Sequence, residues 1–114
     1  MVYVSITGLR VKSPLYFIPF ILHVIRSMTQ INKAAGLIKA EARTINGIQH
    51  TLSVWKDEAS MREYVISGAH LQAMKAFHSI ASGKTYGYET DVPPHWDEVH
   101  DIWLTKGVET RKAK

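Results

Sequence analysis

LIKAEARTI (37–45), NG (46–47) and IQHTLSVW (48–55) read as two strands joined by a two-residue hairpin. Asn-Gly is the pair that best accepts two successive left-handed residues, which a tight turn between antiparallel strands demands. In the first arm Lys39, Glu41 and Arg43 share one side. In the second, Leu52 and Val54 alternate with Thr51, Ser53 and Trp55. A period of two is the signature of a strand.

Working outward, Val2 to Leu9 alternates in the same way, with Val2, Val4 and Ile6 against Tyr3, Ser5 and Thr7. Ser13-Pro14 is a helix entry, Ser as cap and Pro in the first turn. An apolar helical segment then runs to about Ala34, and Ala35-Gly36 ends it. Pro19 resists a helix interior, so the regular helix is expected to begin there. Beyond the hairpin, Lys56-Asp57-Glu58 opens a helix over 58–67, with acids at the positive end of its dipole and Met61, Tyr64 and Val65 inward. Gly68 breaks it, and a helical stretch over 70–81 follows. Ser82-Gly83 reads as a turn and 84–91 as a fourth strand. Pro94 opens a short amphipathic helix with Trp96, Val99 and Trp103 on its apolar side; Gly107 ends it.

Strand, helix, strand, strand, helix, strand is the order of an α+β, ferredoxin-like βαββαβ sandwich, here with an extra C-terminal helix. One domain over 1–107 and a frayed basic tail over 108–114 are expected. The first and third strands are neighbours at the sheet centre. Val4, Ile6, Leu52 and Val54 then share one parity, and Ser5, Thr7, Thr51, Ser53 and Trp55 the other. Helices are expected over one face, leaving the other bare. Both faces carry bulky groups, so the bare one is expected to pack on a second copy, giving a homodimer.

Composition narrows the function classes. The 114 residues are 46% hydrophobic and 21% charged, with no cysteine. This is ordinary globular composition, and it excludes a disulfide scaffold, a thiol nucleophile and thiolate-held metal. The net charge of +4 at pH 7 is scattered along the chain. No basic patch with interleaved aromatics appears, so nucleic acid is not the expected partner. The most apolar run, Leu15 to Ile25, is about half the ~20 residues a membrane span needs, and no secretory leader precedes it. A cytoplasmic protein without a membrane span is expected.

The segments SITGLRVKS (5–13), TLSVW (51–55), SGAH (67–70) and KTYGYE (84–89) carry a family likeness. Over roughly 4–107 the chain resembles the dimeric α/β-barrel superfamily of antibiotic-biosynthesis and haem-degrading monooxygenases. It looks most similar to a group of uncharacterised proteins related to spheroidene monooxygenase. The resemblance implies two ferredoxin-like subunits closing a barrel, each with a pocket between sheet and helices. Relatives there oxidise polycyclic aromatics without a cofactor or bind haem, so the cofactor stays open between none and haem. Haem-degrading relatives use a first-strand Asn, a third-strand Trp and a second-helix His. Trp55 matches the Trp, Ser5 or Thr7 occupies the Asn position, and Met74 lies near the His position, with His70 and His78 one turn away on either side.

Trp55 and His70 are therefore the candidate catalytic pair, the indole as a wall for a planar substrate and the imidazole as a base near neutral pH. Ser5, Phe20, His23, Met74 and His78 are the candidate substrate-binding residues. His50, Tyr86 and Tyr88 are strand residues on a possible pocket face. The run His95, Asp97, Glu98, His100 and Asp101 reads as a solvated flank, and no metal site is expected. Two functions follow: a monooxygenase-like enzyme acting on an apolar conjugated small molecule, or a homodimeric module that binds such a ligand, haem included, without chemistry.

Overall fold

The computed structural model describes residues 1–66 and 81–109. The hairpin forms as read. Asn46 and Gly47 both adopt positive φ, 51° and 78°, linking β2 (Leu37–Ile45) to β3 (Ile48–Trp55). β1 (Val2–Val11) pairs antiparallel with β3 on one side and with β4 (Ala81–Thr90) on the other. A two-residue β5 (Val108–Glu109) extends the edge, giving the order β2-β3-β1-β4-β5. The result is the expected α+β ferredoxin-like arrangement.

Ser13 caps the first helical segment, its Oγ accepting from the Leu15 N–H at 3.3 Å. A 3-10 turn over Pro14–Tyr16 leads into α1 (Phe17–Ile31). The regular helix thus starts two residues before Pro19. Proline is harmless there because the first-turn N–H groups have no partner within the helix. α2 (Glu58–Val65) is capped by Asp57, whose carboxylate accepts from the Ser60 N–H at 2.8 Å. α3 (Trp96–Lys106) ends at Gly107.

Three sequence expectations shift. Ser82-Gly83 is not a turn: β4 already begins at Ala81, and Gly83 sits opposite Leu9. Its missing Cβ is what lets the strands meet there, since a side chain would collide with the Gly8 carbonyl and Leu9. Val108 and Glu109, read as the start of a frayed tail, instead pair with Thr85 and Lys84. The third change matters most. The sheet face expected to be bare is covered by α3.

Val4, Ile6, Leu52 and Val54 are essentially fully buried against Val99 and Trp103 of that helix. Trp96 Nε1 reaches Glu41 on β2 at 3.4 Å, and Arg43 lies 5.0 Å over the Trp96 ring. Tyr86 and Tyr88 stack on each other at 5.3 Å between ring centroids, and Tyr88 packs on the same cluster. α1 and α2 take the opposite face. Ile31 and Tyr64 close over Tyr3 and Trp55 at one end, and Phe20 over Leu9 and Ala81 at the other.

Candidate functional site

The centre of the helix-facing sheet surface is paved with small side chains. Ser5 lies between Ser53 and Gly87, and Thr7 between Thr51 and Thr85. Ala42 continues the second row. Larger groups stand at both ends, Tyr3 beside Trp55 and Leu9 beside Gln49. α1 and α2 rest on these taller ends and cannot sink onto the short floor. A hollow of about 370 Å³ remains beneath them, far larger than the voids of an ordinary close-packed core. Phe20, Val24, Ser27, Met28 and Ile31 of α1 and Met61, Tyr64 and Val65 of α2 form the roof.

Trp55 is completely buried, and its Nε1 donates to Ser53 Oγ at 2.9 Å. That bond fixes the indole plane, with Tyr64 tilted against it at 5.5 Å. The Tyr64 hydroxyl donates to the Ser27 carbonyl at 3.0 Å. Burial pushes the Tyr64 phenol well above its usual range, with the contact to Ser27 acting the other way. Burial also raises Tyr3, and Glu58 adds to the effect. Both phenols are therefore neutral at physiological pH, donors and not bases. Glu58 and Arg62 line the cavity as an ion pair at 2.8 Å, Arg62 largely exposed and Glu58 partly so.

Ser27 Oγ is a buried polar atom on the cavity wall, close to the Tyr64 phenol but without a well-aligned hydrogen bond among the described residues. An unmet buried hydroxyl costs about 1–3 kcal/mol, so this atom is poised to bond a ligand. Sequence reasoning passed over it. The available signal was spacing: Phe20, Val24, Ser27, Met28 and Ile31 form one helical stripe, with a single hydroxyl among apolar neighbours.

Of the residues singled out from sequence, Trp55, Ser5 and Phe20 meet on the cavity wall. His23 sits on α1 between roof residues but is not part of the lining. His70, Met74 and His78 lie outside the described residues. The run before and within α3 splits up. The His95 N–H donates to Glu98 Oε1 at 3.3 Å at the helix start, and His100 turns inward to His50.

That pair is buried on the α3 side of the sheet. His50 Nδ1 lies 3.2 Å from the Thr7 carbonyl, and its Nε2 lies 2.9 Å from His100 Nδ1. A carbonyl only accepts, so Nδ1 of His50 carries the proton, Nε2 accepts, and His100 donates. Burial holds His50 below the usual imidazole value, partly offset by the Thr7 carbonyl, and His100 lowers it further. The unfolded chain then takes up a proton near pH 6.5 that the folded chain refuses. Stability is level above that pH and falls as pH drops below it, by up to about 1.4 kcal/mol per unit for one proton. Thermal midpoints measured between pH 7.5 and 5 are expected to decline in the native protein, and His50→Leu to flatten that decline. The exposed, lowered carboxyls of Glu41 and Asp57 act only at more acid pH.

Comparison with known structures places this architecture. The cofactor-independent oxygenase SnoaB from Streptomyces nogalater superimposes with a TM-score of 0.67 over 80% of this chain and 94% of its own, at 11% identity. A protein from Nitrosomonas europaea, provisionally assigned as an antibiotic biosynthesis monooxygenase, gives 0.70 over 79% and 99%, at 12% identity. The α+β ferredoxin-like fold is common to this chain and these proteins. A conserved Methanosarcina mazei protein shares it at 0.69 and 16% identity, over 80% of this chain and 95% of its own. No family model matches the sequence, and no curated protein matches it. At these identities the likeness concerns the fold.

Proposed function

We propose that this chain is a monooxygenase-like protein that binds an apolar, conjugated small molecule in the cavity between the sheet and α1–α2. The observation that carries the reading is the floor of Ser5, Thr7, Thr51 and Ser53 beneath an apolar roof, with the locked Trp55 indole as one wall. A flat ligand gains apolar burial above and hydroxyl partners below. Its electrons would pass to oxygen after loss of a proton from an activated carbon or hydroxyl. Among the described lining residues the acid–base set is thin: Glu58 is paired to Arg62, and the His50 ring turns to the other face of the sheet, where both its nitrogens are engaged. His70 is the proposed base, with Met74 and His78 as further contacts and His23 behind the roof.

That thinness also favours the second reading, a module that binds without turning over. The described wall offers no nitrogen to a haem iron, so no step is assigned to haem. Oxygen uptake with a conjugated hydroxyaromatic, lost in His70→Ala, supports the enzyme. A thermal shift with such ligands and no uptake supports the module. A Soret band that His70→Ala or His78→Ala abolishes would return haem to the site. The resemblance adds a homodimer. Because α3 already covers the sheet face, a copy would join at the β2 edge, where Ile38 is exposed, and sedimentation velocity reads it directly.

Thr51→Phe separates binding from folding. Thr51 points from mid-floor into the hollow, so an added ring fills space instead of displacing neighbours. The ligand-induced thermal shift is expected to vanish, while the unliganded midpoint stays within a few degrees of native.

A further inference from the structure

The outer side of α1 carries an apolar surface that the cavity does not use. Leu15 is 86% exposed, Ile18 70%, Leu22 50% and Ile25 56%. At 100° per residue, Ile18, Leu22 and Ile25 fall within an arc of about 60°. The inner side of the same helix roofs the cavity through Phe20, Val24 and Ser27. A helix apolar on both sides is one that expects cover on both sides.

Charge indicates the cover. Residues 1–40 contain Arg10, Lys12, Arg26, Lys33 and Lys39 and no Asp or Glu, and all five basic side chains are exposed. Lys12 stands just before the stripe, and Arg26 follows Ile25 along its edge. Toward the far end acids come near: Glu41 pairs with Lys39 at 3.2 Å, and Glu63 of α2 shares a groove with Lys33. Exposed apolar side chains flanked by cations, on a helix too short to cross a bilayer, have the chemistry of an interfacial helix on anionic lipid.

We propose that α1 seats this protein on an anionic membrane surface, Leu15, Ile18, Leu22 and Ile25 entering the headgroup boundary and Lys12 and Arg26 meeting lipid phosphate. The seat would hold the cavity roof within one helix diameter of the lipid, a source of apolar ligands. This inference stands on the exposed stripe and its charge, independently of the oxygenase reading.

Co-sedimentation of the full chain with phosphatidylcholine vesicles, with and without phosphatidylserine, tests it. Binding is expected only with phosphatidylserine and is expected to weaken as salt rises. Arg26→Ala should lower partitioning about fivefold, and Leu22→Glu at least about tenfold. Both substitutions are at exposed positions, so the thermal midpoint should hold and show that the variants are folded. Absence of binding to the anionic vesicles, or binding indifferent to Leu22→Glu, overturns the proposal. A dimer in sedimentation velocity that Leu22→Glu dissociates, without vesicle binding, also overturns it and assigns the stripe to a second copy.

Discussion

Replacing Trp55 with alanine is expected to destabilise the fold by about 3–5 kcal/mol and to abolish ligand binding with it. The indole is completely buried at the end of a central strand, between Tyr3 and Leu37 in the sheet and under Tyr64. Truncation would merge its vacated volume with the adjoining 370 Å³ hollow, and the neighbours that define that end of the cavity would lose their support. For a domain of this size the thermal midpoint should fall by well over about 10 °C. Two companions separate wall from scaffold. Trp55→Phe keeps an aromatic surface and should retain most of the stability. Ser53→Ala removes the partner of Nε1 and should cost about 1–3 kcal/mol. If Trp55→Ala unfolds at nearly the native temperature, the indole is not packed as described. If it still shows a full ligand shift below its own midpoint, the cavity reading fails.

The second large effect concerns the closure of the other sheet face. The Trp103 indole lies directly on the backbone of Gly8: a Cβ there would come within 2.7 Å of Cζ2 and nearer still to other ring atoms. The ring cannot retreat easily. Its Nε1 donates to the Lys84 carbonyl at 2.8 Å, and the His50 ring meets it edge-on at 4.9 Å. Gly8→Val is therefore expected to destabilise by about 1–3 kcal/mol or more through overpacking, and Trp103→Ala by about 3–5 kcal/mol through the cavity it leaves. The double variant should cost less than the sum, because alanine at 103 removes the object that valine at 8 strikes. Chemical denaturation of the four proteins gives the coupling directly. Strict additivity would mean that α3 does not seat on Gly8. Loosened α3 would uncover Val4, Ile6, Leu52 and Val54, so increased self-association of Gly8→Val is the expected secondary sign.

The same face shows why it was expected to be bare. Alternation told correctly that Val4, Ile6, Leu52 and Val54 point one way and Ser5, Thr7, Thr51, Ser53 and Trp55 the other. It also told that both sides need cover. It could not tell what supplies the cover. The apolar stripe of α3, Val99 and Trp103, fits any apolar surface of matching width, whether its own sheet or a neighbour's. Ser82-Gly83 was misread for a related reason. In isolation the pair looks like a turn, and only the approach of Gly8 and Leu9 makes a strand glycine necessary there.

What the amino-acid order settles without help is local or periodic: the Asn46-Gly47 turn, the caps at Ser13 and Asp57, the strand parities, and with them the row of hydroxyls that later becomes a floor. These depend on backbone dihedrals and on contacts a few residues apart, so neighbouring letters suffice. The hollow itself, the unmet Ser27 hydroxyl, the buried His50–His100 pair and the seating of α3 belong to the tertiary structure. Each depends on how high one element stands above another, and that height is set by side chains distant in sequence that meet only once the chain has folded.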